Sequence, residues 1–261
     1  MKKNFASILI TNYNKGSFLK RTLKSCLRQN YKDKEILVYD DSSTDNSQKI
    51  IKTFKKKIKI TINKKKRFKS GPLNQINGIV SLVKKSKGEF IFFLDGDDEF
   101  KNKKLKYFTE IFIKNKNLNF IQDTPFFKTL NKYITLKKKF HIFSIWPSFY
   151  PTSCIIVRKK FLLNFFKYLK KENFPNLEID ARLVMYAFLK KQFLKTDKSF
   201  TIYNHDKKGI TSNYKKYHTL WWIKRNEAFS YFIFLHKKLK IKFFYSADFF
   251  LTRLINFFIK F

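Results

Sequence analysis

Cysteine, proline and glycine are all scarce in this sequence, with two, five and six residues among 261. The two cysteines, Cys26 and Cys154, lie far apart without metal-binding spacing, so we expect buried thiols in a reducing compartment rather than a disulfide framework. No stretch of about 18 uncharged apolar residues occurs, and we therefore expect no membrane-spanning helix. The N-terminus enters an apolar strand pattern without the apolar region of a signal peptide, which favours a cytoplasmic location.

Acidic residues are the other shortage: 57 Lys and Arg stand against 19 Asp and Glu, giving a net charge of +38. Such a charge favours an anionic partner, either nucleic acid or an acidic membrane surface. The alternative is compositional drift, because Lys, Asn, Ile and Phe are abundant as in proteins of AT-rich genomes. Lys far outnumbers Arg, and Lys lacks the bidentate fork that reads bases and phosphates, so we expect no nucleic acid partner.

Residues 5–94 alternate between apolar strand patterns and helical patterns, which predicts a mainly parallel sheet flanked by helices. The predicted strands are 6–11, 35–39, 57–62 and 90–94. The predicted helices are 17–29 with Ser17 as a cap, 45–54 with Asp45 near its start, and 72–83 opened by Pro72. Because ligands of such sheets bind beyond the carboxyl ends of the strands, the residues after each strand are the candidate site.

Carboxylates gather at two of these strand ends. The run Asp95-Gly96-Asp97-Asp98 follows the strand at 90–94, and Asp40-Asp41-Ser42-Ser43-Thr44-Asp45 follows the strand at 35–39. Neighbouring carboxylates repel one another unless a cation joins them, and hard divalent cations prefer oxygen ligands. An acidic turn that caps the next helix is the alternative for the first run. Asp41, with Thr11 and Tyr13 after the first strand, would suit a nucleoside.

Four segments in this order resemble the family 2 glycosyltransferases of the GT-A fold: residues 7–14, 25–31, 35–45 and 88–98. The resemblance implies an inverting transfer from a nucleotide-activated sugar. It implies that Thr11, Tyr13 and Asp41 contact the nucleoside, that Asp95 approaches the ribose, and that Asp97 holds Mn²⁺ or Mg²⁺. Asp98 is a further candidate metal ligand. Many relatives carry an Arg before the last strand, where this chain has Gln75 or Asn74; the nucleotide therefore stays open, with a UDP-sugar as first expectation.

The second half resembles the family more loosely. Inverting transfer needs a carboxylate that takes the proton of the acceptor hydroxyl. Asp180 is the first candidate and Glu178 the second; the alternative is that both simply favour a helix N-terminus. His205 lies in a segment that resembles a loop closing over the donor, where it would touch the metal or diphosphate; a surface histidine is the alternative.

We predict one transferase domain at 1–215, with a nucleotide-binding half at 1–100 and an irregular acceptor half at 101–215, followed by a helical extension at 216–261. Further predicted helices are 101–115, 159–170, 179–190 and 218–239; further strands are 120–122, 154–157 and 200–203; residues 124–150 are expected to be loop-rich. Residues 241–261 predict an amphipathic helix with Phe250, Leu251 and Leu254 on its apolar face and Arg253 and Asn256 on its polar face. That helix would either pack on the core or lie on an anionic membrane.

The sequence therefore predicts a metal-dependent glycosyltransferase acting on a glycan or lipid-linked glycan in cell-surface polysaccharide synthesis, cytoplasmic and in peripheral contact with the inner face of the membrane. Two other functions remain open. A nucleotidyltransferase would need a Gly-rich, basic loop after the first strand, which Asn12-Tyr13-Asn14-Lys15-Gly16 does not supply. A non-enzymatic polyanion-binding protein would bind any polyanion with steep salt dependence.

Overall fold

A computed structural model of the chain describes residues 1–65, 68–133, 145–204, 209 and 214–259. Its first part alternates strands and helices as the sequence predicts, because apolar runs of five to eight residues can be buried on both faces of a parallel sheet. The elements, in chain order, are β1 (Lys2–Asn12), α1 (Gly16–Leu27), β2 (Lys34–Asp41), α2 (Ser47–Thr53), β3 (Lys59–Asn63), α3 (Gly71–Lys85) and β4 (Gly88–Asp95).

The second part is less regular, since its strands are short and its helices are separated by longer connections. It contains β5 (Glu99–Phe100), α4 (Lys104–Lys114), β6 (Phe120–Gln122), β7 (Pro125–Phe127), β8 (Lys132–Tyr133), β9 (Ile155–Arg158), α5 (Lys159–Phe166), α6 (Ile179–Leu189), β10 (Phe193–Lys195), β11 (Thr201–Tyr203), α7 (Thr219–Leu239) and α8 (Ala247–Ile259). Short 3-10 turns stand at Thr152–Cys154 and Lys171–Asn173.

Seven strands form the central sheet in the order β10-β6-β9-β4-β1-β2-β3. All neighbours are parallel except β9, which runs antiparallel to both β4 and β6. The predicted α/β class with a mainly parallel sheet is confirmed.

The register of β1 brings the three polar strand ends together. Thr11 lies beside Asp95 of β4 on one side, and Asn12 lies beside Asp40 of β2 on the other. The carboxyl ends of these strands therefore meet at one edge of the sheet, as the sequence predicts.

A second sheet, β5-β11-β7-β8, was not predicted except for its strand β11. Residues 124–150 were expected to be loop-rich, and within this range the structure adds two short strands that were not predicted, β7 and β8. Strands of two or three residues are too short to show an alternating pattern, so only their pairing with β11 and β5 defines them.

Helix boundaries differ from the predictions mostly by one to four residues, and the predicted cap of α1 is wrong. Lys15 occupies the N-cap position, and its side chain does not cap the helix. Asp45, expected to serve α2, accepts hydrogen bonds from the backbone N–H groups of both Ser47 and Gly16. One carboxylate thus ties the start of α1 to the start of α2.

The core lies on both faces of the central sheet, and α7 belongs to it. Phe229, Tyr231 and Phe232 of α7 are fully buried in the cluster that also contains residues of α3, α5 and α6. The core therefore continues across residues 215 and 216, where the sequence predicts the boundary between the transferase domain and the helical extension. That division stays a prediction. Cys26 and Cys154 are buried free thiols.

The C-terminal helix α8 has the predicted amphipathic pattern. It packs on the protein by its polar side, although an amphipathic helix usually packs by its apolar face. Its polar side, including Thr252 and Asn256, is buried, whereas Phe250, Leu251 and Leu254 are exposed. Among the described residues, none of the helices combines the length and the hydrophobicity needed to cross a membrane.

Candidate functional site at the carboxyl edge of the sheet

Three of the predicted site residues form one hydrogen-bonded cluster at the end of β4. The Asp95 carboxylate accepts hydrogen bonds from the Thr11 hydroxyl, at 3.1 Å, and from the Gln75 amide of α3, at 2.8 Å. The backbone N–H of Asp95 donates to the Ser153 hydroxyl, at 3.0 Å. The register of β1 and β4 and the placement of α3 thus bring Thr11, Gln75 and Asp95 together.

The turn after Asp95 is fixed by close backbone packing at Gly96. Its N–H donates to the carbonyl of Thr11 at 2.9 Å, and its carbonyl accepts from the Thr22 hydroxyl of α1 at 2.9 Å. A Cβ at this position would lie 2.5 Å from Oδ1 of Asn12, a side chain that is itself bonded to Asp40. Glycine suits this position because the Asn12 side chain, held in place by Asp40, occupies the space that a Cβ would need.

Asp97 and Asp98 have different surroundings. Asp97 forms an ion pair with Lys15, whose Nζ lies 2.7 Å from Oδ2. Asp98 is fully buried, and its two oxygens accept from the Ser153 hydroxyl at 2.5 Å and from the backbone N–H of Asn204 at 2.8 Å. Asp98 thus holds β4, the 3-10 turn at Thr152–Cys154 and β11 together.

Burial and neighbouring carboxylates raise the pKa values of Asp95 and Asp98 in this turn. Burial, and then the charge of Asp97, raises the pKa of Asp95 to about 6. Burial, with the charges of Asp97 and Asp95, raises the pKa of Asp98 well above its ordinary value. The turn therefore carries excess negative charge that a bound cation would relieve.

The proposed metal ligands are only partly brought together. Within the described ranges no group of three His, Cys, Asp or Glu side chains is arranged to hold a metal ion, and His205 lies outside the described residues. The carboxylate of Asp97 is paired with the ammonium group of Lys15, whereas both oxygens of Asp98 already accept hydrogen bonds from the protein. This set fits a hard cation that takes one or two protein carboxylates and completes its shell with substrate phosphate.

The end of β2 provides the candidate nucleoside side of the site. Asp41 is buried and accepts from the Asn63 amide of β3 at 2.9 Å. The loop that follows is held by Asp40, which accepts from the Asn12 amide at 2.7 Å and from the Ser43 hydroxyl at 2.6 Å. Tyr13 is 41% exposed beyond β1, where its ring is accessible to a ligand.

Asp180 and Glu178 stand together at the N-terminus of α6. Glu178 pairs with Lys224 of α7, and Asp180 accepts from the backbone N–H of Ala181 at 2.7 Å. Burial, and then the charge of Glu178, raises the pKa of Asp180 to about 7, opposed by the positive charge of Lys224; the charge of Asp95 adds to the rise. Asp180 and Asp95 are thus close enough to interact, although 85 positions separate them.

Several residues around the site were not predicted. Burial, and then the charges of Asp98, Asp95, Asp97 and Asp180, raise the pKa of Tyr203, so its phenol lies in the electrostatic field of the site carboxylates. Ser153 and Lys224 contact acids from elements distant in the chain, and only the fold brings them near. Lys15 could have been selected from the sequence as a site residue, because it directly follows Asn12-Tyr13-Asn14 at the end of the first strand.

A buried ion pair between Lys104 and Asp123 holds the backbone of Ser153 in place. The Nζ of Lys104 donates to Asp123 at 3.0 Å, to the Ser153 carbonyl at 2.8 Å and to the Thr201 hydroxyl at 2.5 Å. Both charged side chains are fully buried, and all three N–H groups of the ammonium are satisfied. The pair fixes Ser153, which in turn bonds Asp95 and Asp98.

The chain is similar to known glycosyltransferases in sequence and in fold. It is 35% identical over 97 residues to the GalNAc(5)-diNAcBac-PP-undecaprenol beta-1,3-glucosyltransferase of Campylobacter jejuni, covering 36% of this chain and 29% of that protein. It is 31% identical over 122 residues to the UDP-Glc:alpha-D-GlcNAc-diphosphoundecaprenol beta-1,3-glucosyltransferase WfgD of Escherichia coli, covering 46% of each. The chain thus spans less than half the length of either relative.

The fold resembles that of Staphylococcus aureus TarS, solved as a fragment in complex with UDP. The TM-score is 0.62 at 18% identity, covering 87% of this chain and 65% of that one. At this identity the likeness establishes the fold alone. The sequence model of glycosyl transferase family 2 matches residues 7–178, well over half of the 261 residues. The match begins within β1 and includes β2 to β4, the carboxylates after β2 and β4, and Glu178, and so this chain belongs to glycosyl transferase family 2.

Proposed function

We propose that this chain transfers a sugar from a UDP-sugar, with inversion, to a hydroxyl of a lipid-linked or polymeric glycan in cell-surface polysaccharide synthesis. The observation that supports it most directly is the convergence of Asp41, Asp95 and Asp97 at one edge of the sheet in a family 2 fold, with Asp180 near enough for the charge of Asp95 to raise its pKa. A uridine nucleotide is favoured because WfgD is named for UDP-Glc.

In this proposal the nucleoside binds between the ends of β1 and β2. Tyr13 offers an exposed ring, and the buried Asp41 carboxylate has one oxygen bonded to Asn63, which leaves lone pairs for a base N–H or a ribose hydroxyl. Asp95 would accept from the ribose. Gln75, bonded to Asp95, takes the position where many relatives have Arg, and it orients this carboxylate without adding charge.

The diphosphate would lie beside Asp97 and Lys15. A divalent cation, Mn²⁺ or Mg²⁺, held by Asp97 and the diphosphate would stabilise the charge that develops on the leaving group. Asp98 and His205 are the further proposed ligands, although Asp98 already accepts two protein hydrogen bonds. Lys15 neutralises Asp97 and, when released, can donate to a phosphate oxygen.

Asp180 is the proposed base. Its carboxylate takes the proton of the acceptor hydroxyl while the hydroxyl oxygen bonds to the anomeric carbon and the bond from that carbon to the diphosphate oxygen breaks. A pKa of about 7 suits this role, because the group is a stronger base than an ordinary carboxylate yet is largely ionised slightly above neutral pH. Glu178, paired with Lys224, is the second candidate.

The acceptor is proposed to be lipid-linked because the names of the two relatives described above, from Campylobacter jejuni and Escherichia coli, include an undecaprenol diphosphate acceptor. Such an acceptor would place the enzyme at the cytoplasmic face of the cell membrane, in peripheral contact with its lipids.

A thermal-shift experiment with UDP, GDP, dTDP and CDP, each with and without Mn²⁺, tests the donor site. We expect one nucleotide, UDP first, to raise the melting temperature in a Mn²⁺-dependent way, since a ligand that binds only the folded state stabilises it. Asp97→Asn should abolish the Mn²⁺-dependent part. Asp197→Asn, an exposed carboxylate far along the chain, is the matched control and should respond like the wild type.

The outcomes separate the alternatives. No response to any nucleotide would contradict the proposal. Equal stabilisation by all polyanions, with no effect of Asp97→Asn and steep salt dependence, would favour the polyanion-binding alternative. Transfer of the nucleotidyl group rather than the sugar, seen by mass spectrometry of the product, would favour a nucleotidyltransferase.

A further inference from the structure

The C-terminal helix α8 presents an apolar face to solvent. Phe250, Leu251, Leu254 and Phe258 are between 49% and 67% exposed. Successive members of this set are one, three and four positions apart, so they form one stripe along the helix. A stripe of large apolar side chains exposed in this way is a common mark of an interaction surface.

Polar contacts with α7 fix α8 in this orientation. Arg253 donates to the Asn226 amide oxygen at 2.6 Å and to the Ser230 hydroxyl at 3.0 Å. Asn256 donates to the Trp222 carbonyl at 3.0 Å. At the other end Asp248 accepts from Arg225 at 3.0 Å. The usual arrangement of an amphipathic helix is thus inverted, and its polar side is the one that packs on the protein.

The segment that leads into α8 is positively charged. Four exposed lysines, together with the exposed Phe244 and Tyr245, lie in and after the end of α7, just before α8 begins. These lysines are Lys237, Lys238, Lys240 and Lys242. The two acids between residues 214 and 259, Glu227 and Asp248, are both bonded to other side chains. Exposed charge in this region is therefore positive.

We infer that the outward face of α8 and these lysines dock on an anionic lipid bilayer. Apolar side chains with aromatic members enter the boundary between headgroups and acyl chains, and lysines beside them contact acidic headgroups. The inference rests on the proposed function, because it assumes the lipid-linked acceptor named there. It adds to that function the surface of the protein that faces the membrane.

One helix joins this surface to the proposed base. On α7, Lys224 pairs with Glu178 and Glu227 bonds Asn176, while the intervening Arg225 and Asn226 bond α8. Docking through α8 would therefore hold the acceptor side of the site next to the bilayer, where the sugar of a lipid-linked acceptor is presented.

A second copy of the chain fits this surface less well. A second copy would cover the apolar stripe but would offer no negative charge to the lysines, since the two acids of this region already bond other side chains. An anionic bilayer satisfies the apolar stripe and the lysines at once.

Co-sedimentation of the full chain with phosphatidylcholine vesicles, with and without phosphatidylglycerol, tests the inference. We expect partitioning that depends on phosphatidylglycerol and that falls about tenfold or more in Leu254→Glu, because the change removes apolar burial and adds a negative charge. Leu163→Glu is the matched control: Leu163 is 41% exposed on α5, beside a cleft lined by Lys3, Lys116 and Lys160, and it should bind like the wild type.

Equal partitioning of Leu254→Glu and wild type, or a loss in Leu163→Glu alone, would overturn the inference and assign binding to general charge or to the α5 side. A dimer in light scattering that Leu254→Glu dissociates, without vesicle binding, would assign the stripe to a second copy. The thermal shift with UDP is measured on the same variants. A variant that loses vesicle binding but keeps the nucleotide-induced shift shows that this surface is separate from the donor site. If instead the proposed donor site is wrong, the nucleotide-induced shift is missing in the wild type as well.

Discussion

At the scale of single residues, the site is defined by where carboxylates are concentrated in a chain with only 19 of them. Burying like charges together is unfavourable, and three site carboxylates, Asp95, Asp98 and Asp180, have pKa values raised by burial and by the charges of neighbouring carboxylates. A protein keeps such an arrangement where it serves function, because it does not stabilise the fold. In our proposal the same acids bind the donor and remove a proton from the acceptor.

Asp180→Asn should lower kcat by about 10²- to 10⁴-fold while leaving the UDP-induced thermal shift unchanged, since an amide cannot take the proton but still fills the space. In the wild type, kcat/KM should rise with pH through about 7, because the base works in its deprotonated form and its pKa is raised to about that value. Initial rates of sugar transfer measured between acidic and alkaline pH check both statements.

Glu178→Gln is the companion variant, and it should shift the rising limb of this profile to lower pH. The charge of Glu178 raises the pKa of Asp180, so its removal lowers that pKa. A large loss in Glu178→Gln with nearly full activity in Asp180→Asn would reverse the two roles.

At the scale of elements, Lys104 and Asp123 connect α4, β6, β11 and the 3-10 turn that carries Ser153. Desolvating two charges is costly, so the pair contributes more to fixing the geometry of the site than to stability. Removing one partner is different, because it leaves the other charge buried and unpaired.

Lys104→Met should therefore lower the free energy of unfolding by about 3–5 kcal/mol. The double variant Lys104→Met/Asp123→Leu should recover much of that loss, since neither charge remains. Lys106→Met, at an exposed position on the same helix, is the control and should stay within about 0.5 kcal/mol of the wild type. Urea unfolding measures all three; a double variant as unstable as Lys104→Met would contradict the prediction.

At the scale of the whole molecule, a charge of +38 acts on stability as well as on partners. Repulsion among surface lysines destabilises the compact state, and salt screens it, with a Debye length of about 10 Å at 0.1 M. The same field favours approach to anionic surfaces, which agrees with the surface proposed for α8.

The melting temperature should accordingly rise by a few degrees between about 0.02 M and 0.3 M NaCl. Replacing the exposed Lys55, Lys56 and Lys57 by Gln should make this dependence shallower, because fewer like charges remain to be screened. Calorimetry at several salt concentrations checks it, and a melting temperature that falls with salt would show that attractive ion pairs outweigh the repulsion.

The sequence by itself determined the first half of the fold and the edge at which the site lies. Buried strands of five to eight residues separated by helical patterns permit few arrangements, and parallel pairing then forces the residues after β1, β2 and β4 to one edge. Asp41, Asp95 and Asp97 could be selected for this reason, and Asp180 and Glu178 through the family resemblance.

Only the tertiary structure decided the rest. The small sheet with β7 and β8 consists of segments too short to show a period, and the contacts of Ser153, Asn204 and Lys224 join positions 46 to 106 residues apart. For α8 the sequence pattern gave two faces but not which one would turn inward. That choice depended on Asn226, Ser230 and Trp222 of another helix, whose hydrogen bonds to Arg253 and Asn256 hold the polar side against the protein.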